Sequence, residues 1–362
     1  MTRTLSRYFA RRFFVAVAMV FAGIFVLVAF VDYVDSMRKA GSLPDAPVNL
    51  VIQMSIYRVP QIVERLQPFS VLVGAMICFF SLSRRMELVV ARGAGISAWQ
   101  IVTPAMLVAL CLGVFGTTVY DPVAASLAET SKRIEAQLFG DTQAMLATLG
   151  GGYWVRQRGG EGESILNALQ SREQGLKLTS ITAFAFHANG EFAERIEAQT
   201  AELIPGAWRL TQAHVFAPNA APRDLETYML PTRLTREQVA ESFAAPDTVG
   251  FWNLPTYIRY AEDSGFTAGG YRLQYQILIA RPFLLAAMIL LAASVSMRAF
   301  RFGGVPQRIL IGVAAGFSIY VLSKVSEDLS KAELLYPLVA AWLPVAAGGL
   351  SGFLVLLYEE DG

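Results

Sequence analysis

The chain has 362 residues, of which 54% are hydrophobic and only 16% charged, and its formal net charge is +1. Soluble domains carry about 25% charged residues, so this deficit, with a mean hydropathy of +0.44, indicates a polytopic membrane protein. A net charge near zero carries no electrostatic signal for nucleic acid. The two cysteines, Cys78 and Cys111, both fall in apolar stretches and outline no disulfide framework.

In chain order, Leu5, Tyr8, Phe9 and Arg12 recur at helical spacing among several arginines. They form either an amphipathic segment lying at the membrane interface before the chain turns into its first span, or a plain basic flank that sets topology. Phe13 to Val31 is long and apolar enough to cross a bilayer, and it lacks a small-residue cleavage site, so it reads as a retained span and not a cleaved signal. The helical rhythm continues through Asp32 to Lys39 and stops at Gly41. Pro44 and Pro47 mark a loop, and Pro60 and Pro68 lead into a second apolar stretch, Phe69 to Leu82. A third runs from Ala98 to Val119.

Between the second and third stretches, Ser83 to Ser97 reads as a short helix ended by Gly93 to Gly95. Met86, Val89, Val90 and Gly93 share one face, and Arg84, Arg85, Glu87 and Arg92 supply charge. A short helix with a mixed apolar and charged face suits docking into a groove of a partner. The alternative is a basic loop that only fixes topology.

A polar stretch from Asp121 to Gly270 follows, and it reads as β. Candidate strands are 152–157, 164–171, 178–187, 191–203, 208–217 and 225–234. Ile181 to Phe186 is rich in β-branched and aromatic residues. Asn189-Gly190 is a strong hairpin signal, because both central residues of a type I′ turn need positive φ. Pro205-Gly206 marks a second turn. Short strands at this spacing indicate a sandwich or open barrel. Asn253 suits the N-cap of a helix through Tyr257 and Ala261, with Gly265 as its stop. Three further apolar stretches close the chain: Leu273 to Val295, Ile309 to Leu322 and Tyr336 to Leu357.

Basic residues set the orientation. Arg3, Arg7, Arg11, Arg12, Arg84, Arg85, Arg92, Arg298, Arg301 and Arg308 fall on one side, against Arg38, Lys39, Arg58, Lys324 and Lys331 on the other. Both termini are therefore expected in the cytoplasm and the polar domain outside it. Asp32, Asp35, Asp121, Glu327 and Asp328 read as solvated helix ends. Arg281, beside Pro282 within an apolar stretch, must snorkel, pair or face a polar cavity. With Arg38, Lys39 and Arg272 it forms a candidate site for a phosphorylated headgroup at the outer leaflet.

Catalysis is not expected. Gly93 and Gly95 lack the Lys-Ser/Thr of a phosphate loop, so no ATPase activity is expected of this chain. His187 and His214 are the only histidines, and both are read as structural, with no metal set or hydrolytic triad around them.

Arg84, Glu87, Leu88, Gly95 and Ser97 follow the pattern Arg-x-x-Glu-Leu-x-x-x-x-x-x-Gly-x-Ser. This resembles the coupling-helix signature of the lipopolysaccharide-export permeases LptF and LptG, and the resemblance covers the whole chain. The segment Val34 to Gly41 and residues Asn253 to Tyr271 look more like LptG than LptF. The resemblance implies an α+β membrane protein of six transmembrane helices, three plus three, with an inserted periplasmic antiparallel β-jellyroll-like domain. Its parts would be residues 1–122, with a coupling helix at 84–97, residues 123–270, and residues 271–362. It further implies an inner-membrane ABC-transporter permease that extracts lipopolysaccharide from the outer leaflet and passes it to a periplasmic β-jellyroll bridge. The implied partners are an LptF-like permease, an LptB ATPase dimer that would hold ATP and Mg, LptC and the LptA bridge. This chain itself would bind no cofactor and no metal.

By the same resemblance, Glu87 would dock on the ATPase, with Arg84, Leu88, Arg92 and Gly95 around it. Arg38 and Lys39 would meet lipid A phosphates, and spans one and five would form gates. The sequence departs from the family at Asp32, which stands where some members carry a further basic residue; an acid there repels phosphate unless a divalent cation bridges the two. The alternatives are an LptF-type or another lipid or lipoprotein permease, and a non-transporting membrane scaffold with a periplasmic β-domain. Lipoprotein-release permeases usually have four spans, against six here.

Overall fold

The computed structural model describes residues 3–41, 47–147, 153–158, 162–172, 176–187, 191–218, 221–232, 246–263, 268–297 and 305–361. The chain forms two compact units. The first comprises Met1–Lys132, Gly250–Trp252 and Arg272–Gly362; the second comprises Arg133–Val249 and Asn253–Tyr271.

The first unit is helical, and among the described residues six helices are long and apolar enough to cross a membrane. Helix α1 (Arg3–Ala40) is one continuous rod. Of the two readings of its start, a separate interfacial segment that turns into span one is not seen, because no proline or glycine pair interrupts the helix before Gly41. Helices α2 (Val48–Arg65) and α3 (Gln67–Arg84) meet at Leu66, two residues before Pro68, whose ring opposes a continuous helix. Helix α4 (Glu87–Gly93) is the short element expected in the loop. Helix α5 (Ala98–Phe115) starts at Ser97, whose Oγ accepts the Gln100 N–H at 3.3 Å.

Beyond α5 the helix does not stop. It widens into a π turn, Gly116–Tyr120, and continues as α6 (Asp121–Ala147). The sequence read Asp121-Pro122 as the start of the polar stretch. The wide turn instead accommodates Pro122, which has no N–H to give to the preceding turn.

Helices α8 (Gly269–Ser296), α9 (Val305–Lys331) and α10 (Pro337–Asp361) complete the unit. Its core joins Phe13 and Val17 of α1, Leu72 and Phe79 of α3, Ile101 of α5, and Leu285 and Ile289 of α8. Water does not drive helices together inside a bilayer, so close packing must supply the attraction, and small residues permit it. A Cβ on Gly113 would lie 2.4 Å from Pro282 Cα, which brings α5 and α8 into backbone contact.

The second unit holds six antiparallel strands in meander order: β1 (Tyr153–Arg158), β2 (Gly162–Arg172), β3 (Lys177–His187), β4 (Phe192–Ile204), β5 (Ala207–Phe216) and β6 (Arg223–Pro231). These match the six expected strands. The Asn189-Gly190 turn lies outside the described residues, but the strands around it pair, and His187 N–H donates to Glu191 O at 2.9 Å. The Pro205-Gly206 turn forms, with Gly206 at φ +83°. One face is buried around Trp208, Leu166, Leu178 and Ile196.

The inward face switches parity midway along the strands. In β3 it passes from Leu178 to Ile181 and Ala183, and in β5 from Trp208 and Leu210 to Ala213 and Val215. The switch falls at Ser180 (φ 52°) and Gln212 (φ 53°), two non-glycine residues in left-handed conformation. A strand alternates strictly, so this local break keeps both halves of each strand facing one core. Helix α7 (Leu254–Asp263) belongs to the same unit and starts after Asn253, as expected.

Candidate functional site

Helix α4 turns one face inward and one outward. Leu88 and Ala91 are buried in the helical core, which anchors the helix to its own chain. Met86, Val89 and Val90 are 51–70% exposed. Met86 has φ 60° and Gly95 φ 82°, so a left-handed residue brackets each end of the helix. Arg84, Arg85, Arg92 and Gly95 are exposed around it.

Within its own chain, Glu87 has partners that its local sequence does not name. The Tyr8 hydroxyl donates to Glu87 Oε2 at 2.9 Å, and Arg12 lies 3.9 Å from its other oxygen. The Arg12 guanidinium also sits over the Tyr8 ring at 5.2 Å. Glu87 therefore ties α4 to the start of α1, while its side chain keeps 29% exposure. Tyr8 and Arg12 read as part of an interfacial segment or of a basic flank that sets topology, and nothing in their local spacing signals a contact 79 residues away.

The other predicted basic cluster lies at the far end of α1. Arg38 and Lys39 are exposed, and both reach back to Asp35, at 2.9 and 2.8 Å. Arg272 is also exposed. Arg281 is not: it is 8% exposed and its guanidinium is paired with Glu64, itself 5% exposed. Of the three fates open to a membrane arginine, the structure shows pairing.

Two acids read as solvated are buried. Asp32 accepts from Ser55 Oγ at 2.6 Å and from Arg58 Nε at 2.9 Å, and Arg58 also donates to Ser36 Oγ at 3.0 Å. Asp121 is 3% exposed and accepts the Phe251 N–H at 2.8 Å. A buried carboxylate needs such partners, because its desolvation is not otherwise offset. Asp35, Glu327 and Asp328 do lie at the surface, in pairs with Lys39, Lys331 and Lys324.

His214 pairs with Asp224 at 2.5 Å on an exposed strand pair. Among the described residues, no group of three or more metal-ligating side chains converges.

The sequence model of a family described as "Lipopolysaccharide export system permease LptF/LptG" matches residues 7–358. The chain belongs to this family. It is 25% identical to the lipopolysaccharide export system permease protein LptG of Escherichia coli (strain K12), over 98% of this chain and 97% of that protein. It is 23% identical to the Haemophilus influenzae protein of the same name, over 94% and 93% of the two chains. Six candidate spans and an inserted antiparallel β-sheet thus belong to a transmembrane permease subunit.

Proposed function

We propose that this chain is the LptG-type subunit of an ATP-driven exporter that takes lipopolysaccharide from the outer leaflet of the inner membrane. ATP and its magnesium belong to a separate LptB-type ATPase dimer, and an LptF-like permease completes the membrane pair. The β-sheet unit lies in the periplasm, both termini lie in the cytoplasm, and the lipid passes by way of LptC and LptA-type β-jellyroll partners.

The observation that carries this reading is α4. Its anchoring residue Leu88 is buried, while Met86, Val89 and Val90 present an apolar face with Arg84, Arg85 and Arg92 around it. An ATPase groove covers that face and desolvates it. Glu87, held by Tyr8 and Arg12, links α4 to α1, so movement of the ATPase is felt along the first span. At the other end, Arg38, Lys39 and Arg272 meet the phosphorylated headgroup. Arg281 supports them from within the helix packing through Glu64 and does not touch the lipid. Asp32 does not repel the phosphate, because Arg58 neutralises it.

The test is co-purification with candidate permease and ATPase partners by a tag on this chain, with Glu87→Ala and Val90→Glu as variants. Wild type should recover both partners. Val90→Glu should lose the ATPase, and Glu87→Ala should retain it while ATP hydrolysis ceases to drive lipid transfer. Unchanged assembly and transfer in both variants would leave a membrane scaffold as the better reading.

A further inference from the structure

Within the helical unit, the break between α2 and α3 borders a cavity of about 210 Å³. A dry apolar cavity of about 150 Å³ is already large enough to take up benzene. Phe14 of α1 and Phe115 of α5 both line it and are half-exposed, while Val17 and Val71 behind them are buried. The cavity therefore opens between α1 and α5. Both helices are candidate spans, so the opening faces hydrocarbon and not water.

The local sequence accounts for the space. The chain breaks at Leu66, and the helix beyond α5 widens into the π turn that starts at Gly116. Gly116 lines the cavity and has no side chain to fill it; a Cβ there would lie 3.1 Å from Gln67 Oε1. Phe21 closes one side, with its ring edge-on to Tyr120 at 6.3 Å between centroids.

The polar groups around the cavity are accounted for, with one exception. The Tyr120 hydroxyl donates to Pro60 O at 3.0 Å, and Ser70 Oγ donates to Leu66 O at 3.1 Å. Glu64 is paired with Arg281, so it offers no charge to an ionised ligand. Gln67 Oε1 is buried and accepts from no donor among the described residues. An amide oxygen held in apolar surroundings without a donor is costly. Water answers this poorly, because a buried water needs two to four polar partners and the remaining lining is almost wholly apolar.

We propose that this cavity is a binding site for a small uncharged alcohol dissolved in the bilayer, whose hydroxyl donates to Gln67 Oε1 while its apolar body lies between α1 and α5. The site shares no residue with the exposed cations Arg38, Lys39 and Arg272, and it has no spare charge for a phosphate. It rests on the membrane span assignment and not on the transport reading.

The experiment is photolabelling of the full chain in lipid nanodiscs with a diazirine-bearing octanol, mapped by peptide mass spectrometry. Wild type should label saturably on α1 near Phe14 and Ala18 and on the stretch from Leu112 to Tyr120. Unlabelled octanol should compete about five- to tenfold better than octane at matched membrane concentration, the worth of one neutral hydrogen bond. Gln67→Leu keeps the volume and removes the acceptor, so labelling should persist while octanol loses its advantage over octane. Gly116→Leu fills the cavity and should abolish the saturable labelling. Ala18→Phe fills it from α1 and serves if Gly116→Leu misfolds, as judged by thermal unfolding. Labelling that does not saturate, that spreads evenly over the exposed helix faces, or that survives in the filled variants overturns the site. Equal competition by octane and octanol in wild type overturns the role of Gln67 and with it the proposed ligand class. No arm needs lipopolysaccharide, ATP or a partner permease, so failure here is separate from failure of the transporter reading.

Discussion

The sharpest energetic prediction concerns Arg281 and Glu64. Their side chains are 9% and 6% exposed, so water does little to screen the pair. Replacing Arg281 by Met leaves the Glu64 carboxylate buried without its cation, and removing one partner of such a pair costs about 3–5 kcal/mol. At about 1.4 kcal/mol per decade, the folded-to-unfolded ratio falls by about two to nearly four orders of magnitude. Glu64→Leu alone should cost a similar amount by stranding the guanidinium. The double variant removes both charges and should sit within about 1 kcal/mol of wild type, because a buried ion pair is often matched by apolar groups of similar volume. The assay is a double-mutant cycle by reversible unfolding of the full chain in mixed micelles. Costs below about 1 kcal/mol for both single variants, or a double variant that sums them, would refute the reasoning. Such a result would also return Arg281 to the list of lipid-facing cations.

Arg58→Ala removes one charge-assisted donor from buried Asp32 and should destabilise α1 against α2 by about 1.5–3 kcal/mol, with Asp32→Asn in the same chain recovering part of it, both read by thermal unfolding in detergent. Trp208→Ala empties the centre of the β-sheet core, where Trp208 is 0% exposed, and should cost about 3–5 kcal/mol by denaturant unfolding of the full chain. Gly113→Ala drives a methyl group into the Pro282 backbone and should cost about 1–3 kcal/mol, seen as a lowered midpoint with unchanged helix content by circular dichroism.

Much of this architecture is legible in the sequence because it rests on long repeats of one signal. Twenty apolar residues have few uses other than a span, and alternation with glycine turns has few other than a sheet. The helix α4 is legible for a related reason: glycines at 93 and 95 stop it, and its apolar residues recur at helical spacing. What stays hidden depends on single contacts between distant residues. Asp32 and Asp121 look like helix-end acids, and only their distant partners Ser55, Arg58 and Phe251 show them to be buried. Glu64 itself was passed over, although a lone acid four residues after Pro60 on a helix is the natural partner for an arginine beside Pro282. The parity break in β5 was available too, since Trp208 and Leu210 fall out of phase with Ala213 and Val215. The continuity of the helix through Asp121-Pro122 was not, because it depends on a π turn that no local pattern announces.

The central claim is that this chain moves lipopolysaccharide under the control of an ATPase that grips α4. The direct measurement is reconstitution in proteoliposomes with an LptF-like permease and an LptB-type ATPase, scoring ATP-dependent transfer of lipopolysaccharide to a soluble β-jellyroll acceptor. The account predicts transfer with the wild-type chain, and ATP hydrolysis without transfer when Glu87 is alanine. Transfer that proceeds equally with the Glu87→Ala chain, or with this chain left out, would contradict it.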